Sequence, residues 1–176
     1  VLGINEDHNA TAALVKDGEV VACASEERFT QIKNDVGYPY KAIEFVFSKA
    51  VISPKSCDKV VLASYVQDPV AIKTKRVTRY TIKDYVREMR EHWKPVLLDN
   101  KPSNFLQWVL NDERLNDPKG VYYNFDFLKN TPEKDWATAF QQERKNVVVK
   151  HLGIHPDKVT FVDHHTAHAY YAYFAS

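Results

Sequence analysis

The sequence predicts an α/β domain: a mixed sheet whose first three strands are antiparallel, with helices packed on its faces and a helical insertion. Three observations predict it. Short β-prone runs open the chain, joined by turns too tight to hold a helix; the later apolar segments alternate between helical and strand spacing; and no repeat or low-complexity tract breaks that order.

Val1 to Ile4, Thr11 to Val15 and Val20 to Ala24 are the opening strands. The polar turn Asn5-Glu6-Asp7-His8-Asn9 separates the first two. Lys16-Asp17-Gly18-Glu19 separates the next pair, and Asp-Gly between β-prone runs signals a hairpin, because a tight hairpin turn needs positive φ, which glycine adopts without steric cost. Pro39 sits where a helix begins, followed at helical spacing by Ala42, Ile43, Phe45, Val46 and Ala50. Lys59 to Val66 is the next strand, bounded by loops at Ser53-Pro54 and Asp68-Pro69. Residues 67–131 form the insertion. Thr81 caps a helix running to Trp93, where Lys94-Pro95 is expected to stop it, and Ser103 caps another carrying Phe105, Leu106, Val109 and Leu110. Thr131 and Pro132 then start a long helix with Trp136, Phe140, Val147, Val148 and Leu152 at core spacing, closed by Gly153. Val159 to Val162 is the last strand, and a closing helix takes up the remainder, including an aromatic-rich stretch from Ala167 to Ser176.

Across 176 residues, 24 Lys and Arg balance 23 Asp and Glu for a net charge of +1, which argues against a broad basic surface for nucleic acid. The 44% hydrophobic and 12% aromatic content suits one domain with a real core. Apolar runs are far shorter than the roughly 20 residues of a membrane span, and no charged-then-apolar leader opens the sequence. Neither a membrane nor a nucleic-acid partner is expected. Cys23 and Cys57 fit a reducing cytoplasm. With five glycines and neither GxGxxG nor a Walker A pattern, the common phosphate loops are excluded. The chain opens directly on a strand and ends without a cap, and reads as a piece of a longer protein.

Three segments carry chemistry. Asp163-His164-His165-Thr166-Ala167-His168 follows a strand and opens a helix, where α/β folds present ligand-binding groups. His164 and His168, four apart, share one helix face, as two neighbouring ligands of a divalent metal require, and Asp163 is suited to hold a ring N–H. Two ligands do not close a site, and without H-E-x-x-H a zinc protease is not indicated. In the first turn, His8 is a candidate general base, an imidazole that a turn can present to a reacting hydroxyl. After the third strand, Arg28 and Lys33 suit a phosphate or carboxylate, a salt-bridged surface loop being the alternative. Residues 68–94 hold eight Lys and Arg against four Asp and Glu, which reads as a solvated helix face or as an anion contact.

Leu2-Gly3-Ile4-Asn5, His8-Asn9-Ala10-Thr11-Ala12-Ala13-Leu14, Asp17-Gly18, Glu26-Glu27-Arg28-Phe29-Thr30, Lys33 and Asp163-His164-His165-x-x-His168-Ala169 carry a resemblance. In this order and setting they resemble the NodU/CmcH-type carbamoyltransferases, from residue 2 to residue 176, with residues 67–131 the least motif-rich part. The resemblance implies the N-terminal lobe of a catalytic domain related to the tRNA threonylcarbamoyl-transferase subunit. Its fold is a ribonuclease-H-like lobe of the actin/Hsp70-like ATPase architecture. It implies that His164 and His168 bind a divalent metal, with iron the expected ion, completed by an aspartate of a second lobe outside this chain. It further implies His8 as the catalytic group beside the acceptor hydroxyl, and Arg28 and Lys33 near the nucleotide or carbamoyl group. Asn9 departs from the family's usual Asp, and Gln31 and Asn34 replace a commoner basic residue and histidine.

The implied reaction uses ATP and carbamoyl phosphate to form a carbamoyl-adenylate, which passes its carbamoyl group to a hydroxyl of a small-molecule or sugar acceptor. A C-terminal YrdC-like domain makes the adenylate in that family and lies outside this chain, so the 176 residues alone are expected to be inactive. A tRNA threonylcarbamoylation component shares the HxxxH spacing, although Glu26-Glu27-Arg28-Phe29 points to the O-carbamoyl branch. A module of the same fold that binds a nucleotide or partner without catalysis is the reading from another class.

Overall fold

The computed structural model describes residues 1–115 and 122–174; residues 116–121 of the insertion and the last two of the closing stretch lie outside the described residues. One five-stranded mixed sheet organises the chain: β1 (Leu2–Asn5), β2 (Thr11–Lys16), β3 (Glu19–Ser25), β4 (Val60–Ala63) and β5 (Val159–Val162), in the order β3-β2-β1-β4-β5. The first three strands pair antiparallel, as expected, while β1 with β4 and β4 with β5 are parallel. Asp17 and Gly18 both take positive φ, 52° and 84°, the conformation that tight hairpin turns need. The expected strand at 59–66 ends at Ala63, because Ser64 turns to φ 95° and its carbonyl leaves the ladder to accept a bond from Arg144.

The helices follow in chain order. α1 (Glu27–Thr30) is a single turn, and α2 (Tyr40–Ala50) starts after Pro39 as the sequence predicts. α3 (Pro69–Lys73) is capped by Asp68, whose carboxylate accepts from Val70 and Ala71 N–H; α4 (Arg76–Arg79) follows directly. α5 (Ile82–Glu88) opens with Thr81 and Asp84 exchanging side-chain and backbone bonds, a reciprocal cap. Lys94-Pro95 does not stop this helix. A π-helical stretch, Met89–Trp93, carries it into α6 (Lys94–Leu97), and the wider turn accommodates Pro95, which lacks the N–H of a continuing α-helical ladder. α7 (Phe105–Asn111) starts with Ser103 Oγ accepting from Phe105 N–H, and α8 (Phe127–Asn130) closes the insertion. α9 (Trp136–Leu152) begins after a 3₁₀ turn and ends at Gly153 with φ 62°, and α10 (His164–Phe174) follows β5.

Register explains the core. Leu2, Ile4, Ala12, Leu14, Val60 and Leu62 pair across β1, β2 and β4 on one face and are all buried, while their alternates are only half-buried. Ile43, Val46 and Phe47 of α2 and Phe140, Val148 and Leu152 of α9 join that face in one continuous core. The insertion has a smaller core of its own, centred on Val70, Phe105, Val109 and Trp136.

Candidate functional site

Strand direction brings the chemistry to one edge. β1, β4 and β5 are parallel and finish together, and the pairings Asn5↔Thr11 and Thr11↔Ser25 put the start of β2 and the end of β3 there too. The loops at residues 6–10, 26–35, 64–68 and 163 onward therefore meet at the carboxyl edge, where open α/β sheets bind ligands.

Buried ionic groups hold that edge. Glu6, 1% exposed at the end of β1, takes an ion pair at 2.5 Å from Arg144 of α9, itself fully buried, and accepts a bond from the Tyr123 hydroxyl. Arg144 also donates to the Ser64 and Tyr65 carbonyls at 3.0 and 3.3 Å, so one side chain ties the exits of β1 and β4 to α9. Burial, with Glu6 beside it, raises the Tyr123 hydroxyl well above the ordinary tyrosine range and keeps it a donor. Asp35 and Lys75 form a second buried pair at 2.9 Å. Glu26 caps α2 from a distance, accepting Ala42 N–H at 2.8 Å and Lys41 N–H at 3.2 Å; burial raises its carboxyl against the lowering effect of those bonds.

Of the sequence-predicted residues, His164 and His168 come together, with their Nε2 atoms 3.1 Å apart. Two ligands about 2.1 Å from one metal ion lie about 3.0–3.4 Å apart at octahedral or tetrahedral angles, so the pair fits a shared ion. Among the described residues, no group of three or more His, Cys, Asp and Glu is placed to hold a metal. Asp163 does not hold a ring N–H: its Oδ1 accepts from Thr166 N–H at 2.9 Å, capping α10, and that bond is the main reason its carboxyl lies below the usual range. His8 is exposed, with Asp7 Oδ1 3.7 Å from its Nε2. It opens onto a groove of about 460 Å³ whose other wall is the insertion, through Gln67, Asp68, Arg76 and Tyr85. Arg28, on α1, and Lys33, in the loop after it, are exposed, and neither lines that groove.

A family model described as carbamoyltransferase N-terminus matches residues 1–176. The chain belongs to the carbamoyltransferase N-terminal family. It is 45% identical over 62 residues, 35% of its length, to an uncharacterized protein of Synechocystis sp., and 43% identical over 49 residues, 28% of its length, to an uncharacterized protein of Methanocaldococcus jannaschii. These matches cover 10% of the length of each relative.

In this carbamoyltransferase domain three cations of the basic stretch 68–94 are engaged internally. Lys75 pairs with Asp35, Arg76 with Glu88, and Arg87 with Glu91 while its guanidinium lies 3.8 Å over the Trp108 ring. A second groove, of about 380 Å³, continues from the His8 groove through Val66, Gln67, Asp68 and Arg76, with Tyr80, Trp93, Phe105 and Trp136 along its walls. Burial pushes the Tyr80 hydroxyl up to about 12. Sequence reasoning did not single out Glu6, Asp35, Lys75, Tyr80, His92 or Arg144. For Arg144 the signal existed: it occupies the same four-residue ladder as Trp136, Phe140, Val148 and Leu152, all buried. Among the described residues no helix is long and apolar enough to cross a membrane.

Proposed function

We propose that the chain is the N-terminal lobe of a metal-dependent O-carbamoyltransferase of the cytoplasm. It would move a carbamoyl group from carbamoyl phosphate, through a carbamoyl-adenylate made with ATP, to a hydroxyl of a small-molecule or sugar acceptor. The observation that carries this reading is the converging His164–His168 pair on the same sheet edge as the His8 groove. The strand order 3-2-1-4-5, with three antiparallel strands followed by two parallel ones, supports a ribonuclease-H-like lobe of the actin-like ATPase fold.

In this reading the acceptor lies in the groove with its hydroxyl against His8. The acceptor oxygen bonds to the carbamoyl carbon, its proton passes to the His8 imidazole, and the bond to the adenylate oxygen breaks with its electron pair leaving on AMP. Arg28 and Lys33, exposed at the same edge, are available to the phosphate, by forked and point-charge contact respectively. A divalent metal held by His164 and His168, with a further ligand from outside these residues, would draw charge from the phosphate or carbamoyl oxygens.

Metal analysis of the full-length protein tests this. Replacing both His164 and His168 by Ala should bring bound metal to background and abolish transfer; unchanged metal content sinks the site assignment. The 176-residue chain alone should turn over no carbamoyl phosphate with ATP, and turnover by it would show that neither a second lobe nor a YrdC-like domain is needed.

A further inference from the structure

The continuous helix that α5, the π-helical stretch and α6 make over residues 82–97 is inverted. A surface helix normally buries its apolar row and exposes its charges. Here the buried residues are Asp84 and Glu88, with half-buried His92 and Pro95 continuing the same row. Both carboxylates are anchored in the fold, Asp84 by Thr81 and Arg114, and Glu88 by Arg76 and the Trp93 indole N–H. Ile82, Val86, Met89, Trp93 and Leu97, at steps of three and four residues, form an apolar row that faces outward. Ile82 is 83% exposed, Met89 59% and Leu97 68%. Lys83, Arg87, Arg90 and Lys94 form a basic row along one border of it.

Charge selects what covers the apolar row. Of the acids in this helix, Asp84 and Glu88 are buried and Glu91 is paired with Arg87, so the charge presented outward is positive: Lys83, Arg90 and Lys94 are all exposed. A second copy laid antiparallel on the row would set this basic border against itself. An anionic lipid surface answers both rows, with acyl chains for the apolar one and phosphates for the cations, and Trp93 is of the residue type that favours the boundary between them. The net charge of +1 for the whole chain conceals this local asymmetry. A helix this short and this charged lies on a bilayer and does not cross it.

We propose that residues 82–97 are an in-plane docking helix for anionic membrane. Ile82, Val86, Met89 and Leu97 enter the upper acyl layer, and Lys83, Arg90 and Lys94 take the lipid phosphates. The proposal replaces the expectation that no membrane partner exists, and it is independent of the carbamoyl-transfer reading. Tyr85, on the same helix and itself exposed, also lines the His8 groove, so docking sets that groove beside the headgroup layer.

The test is co-sedimentation of the full-length protein with phosphatidylcholine vesicles containing phosphatidylglycerol, against vesicles of phosphatidylcholine alone. Binding should need the anionic lipid and weaken as salt is raised. The triple variant Lys83→Gln/Arg90→Gln/Lys94→Gln should weaken it on the order of a hundredfold, at roughly fivefold per cation. Met89→Gln/Leu97→Gln should weaken it at least about tenfold, through the lost apolar burial. All five positions are exposed, so neither variant should change the melting temperature. The proposal is overturned by no binding to anionic vesicles, by equal binding to phosphatidylcholine alone, or by binding indifferent to both variants. A full-length dimer that Met89→Gln/Leu97→Gln dissociates also overturns it and gives the row to a second copy. A clear drop in melting temperature for that variant does so too, because the row would then be packed against the remainder of the protein. Carbamoyl transfer without vesicle binding refutes the docking helix alone, and vesicle binding without transfer refutes only the transfer reading.

Discussion

Arg144→Met should destabilise the domain strongly, because it strips a buried carboxylate of its ion-pair partner. Arg144 and Glu6 are each 1% exposed at the side chain, and the guanidinium donates to Glu6, Ser64 O and Tyr65 O. Met fills much of the volume but leaves a carboxylate buried with only the Tyr123 hydroxyl as a side-chain donor, and two carbonyls unpaired. Breaking a buried pair by removing one partner costs about 3–5 kcal/mol. At about 2–4 °C per kcal/mol for a domain of this size, the melting temperature should fall by roughly 6–20 °C. Circular dichroism melts of the 176-residue chain measure this, and the double variant Glu6→Leu/Arg144→Met supplies the control. With both charges gone no buried ion is left unpaired, so the double variant should be more stable than Arg144→Met alone. A drop under about 2 °C for the single variant, or a double variant less stable than the single, would refute the reasoning, because the pair would then contribute little.

Two further outcomes follow from local geometry. Gly153→Ala should cost about 1 kcal/mol in urea unfolding, because φ is 62° there and a Cβ would lie 3.3 Å from Lys55 Cε; no loss would mean that the end of α9 relaxes freely. The Asp84 carboxyl is held below its ordinary value of 3.8, first by Thr81 N–H. Its folded value being depressed, its contribution is present above 3.8 and lost as pH falls through the depressed value, so Asp84→Asn should flatten that acid limb of a stability–pH profile. An unchanged limb would assign acid sensitivity to other carboxylates.

The strands were legible because each has a short β-prone run and a turn residue with a definite φ: Gly18 marks one hairpin, and Val159–Val162 was bounded by its own polar flanks. The stop expected at Pro95 was not legible. A proline excludes a regular α-helical ladder, and nothing local distinguishes a helix that ends from one that widens by a π turn. The candidate histidines were legible from spacing, since i and i+4 on any helix share a face. The Glu6–Arg144 pair was not, because 138 residues separate its members and only the β4 and β5 crossovers bring α9 over the end of β1. The aromatic groove was equally hidden: nothing local in the sequence says that Tyr80, Trp93, Phe105 and Trp136 face one another.

Backbone strain and buried charge meet at the same edge, and the coincidence has a physical reason. Of eight non-glycine residues with positive φ among the described residues, five (Asn9, Gln31, Asn34, Ser64 and Lys75) lie in or against the loops that gather there. Such conformations cost on the order of 1–3 kcal/mol each and persist only where the surroundings over-determine them. The surroundings here are polar and directional. Arg144 fixes the Ser64 and Tyr65 carbonyls, Lys75 reaches Asp35 from its own left-handed position, and the Asp35 carbonyl accepts Ala10 N–H beside Asn9. Apolar packing is roughly indifferent to small rotations, whereas a buried ion pair with three or four bonds tolerates few geometries. An edge built this way presents its loops already ordered, so a ligand bound there spends little of its interaction energy on ordering them. Loosening the pair with Arg144→Lys, which keeps the charge and loses the fork, should therefore weaken ligand binding at the His8 groove even where the melting temperature holds. Equal ligand affinity in that variant would show that the loops are ordered without the clamp.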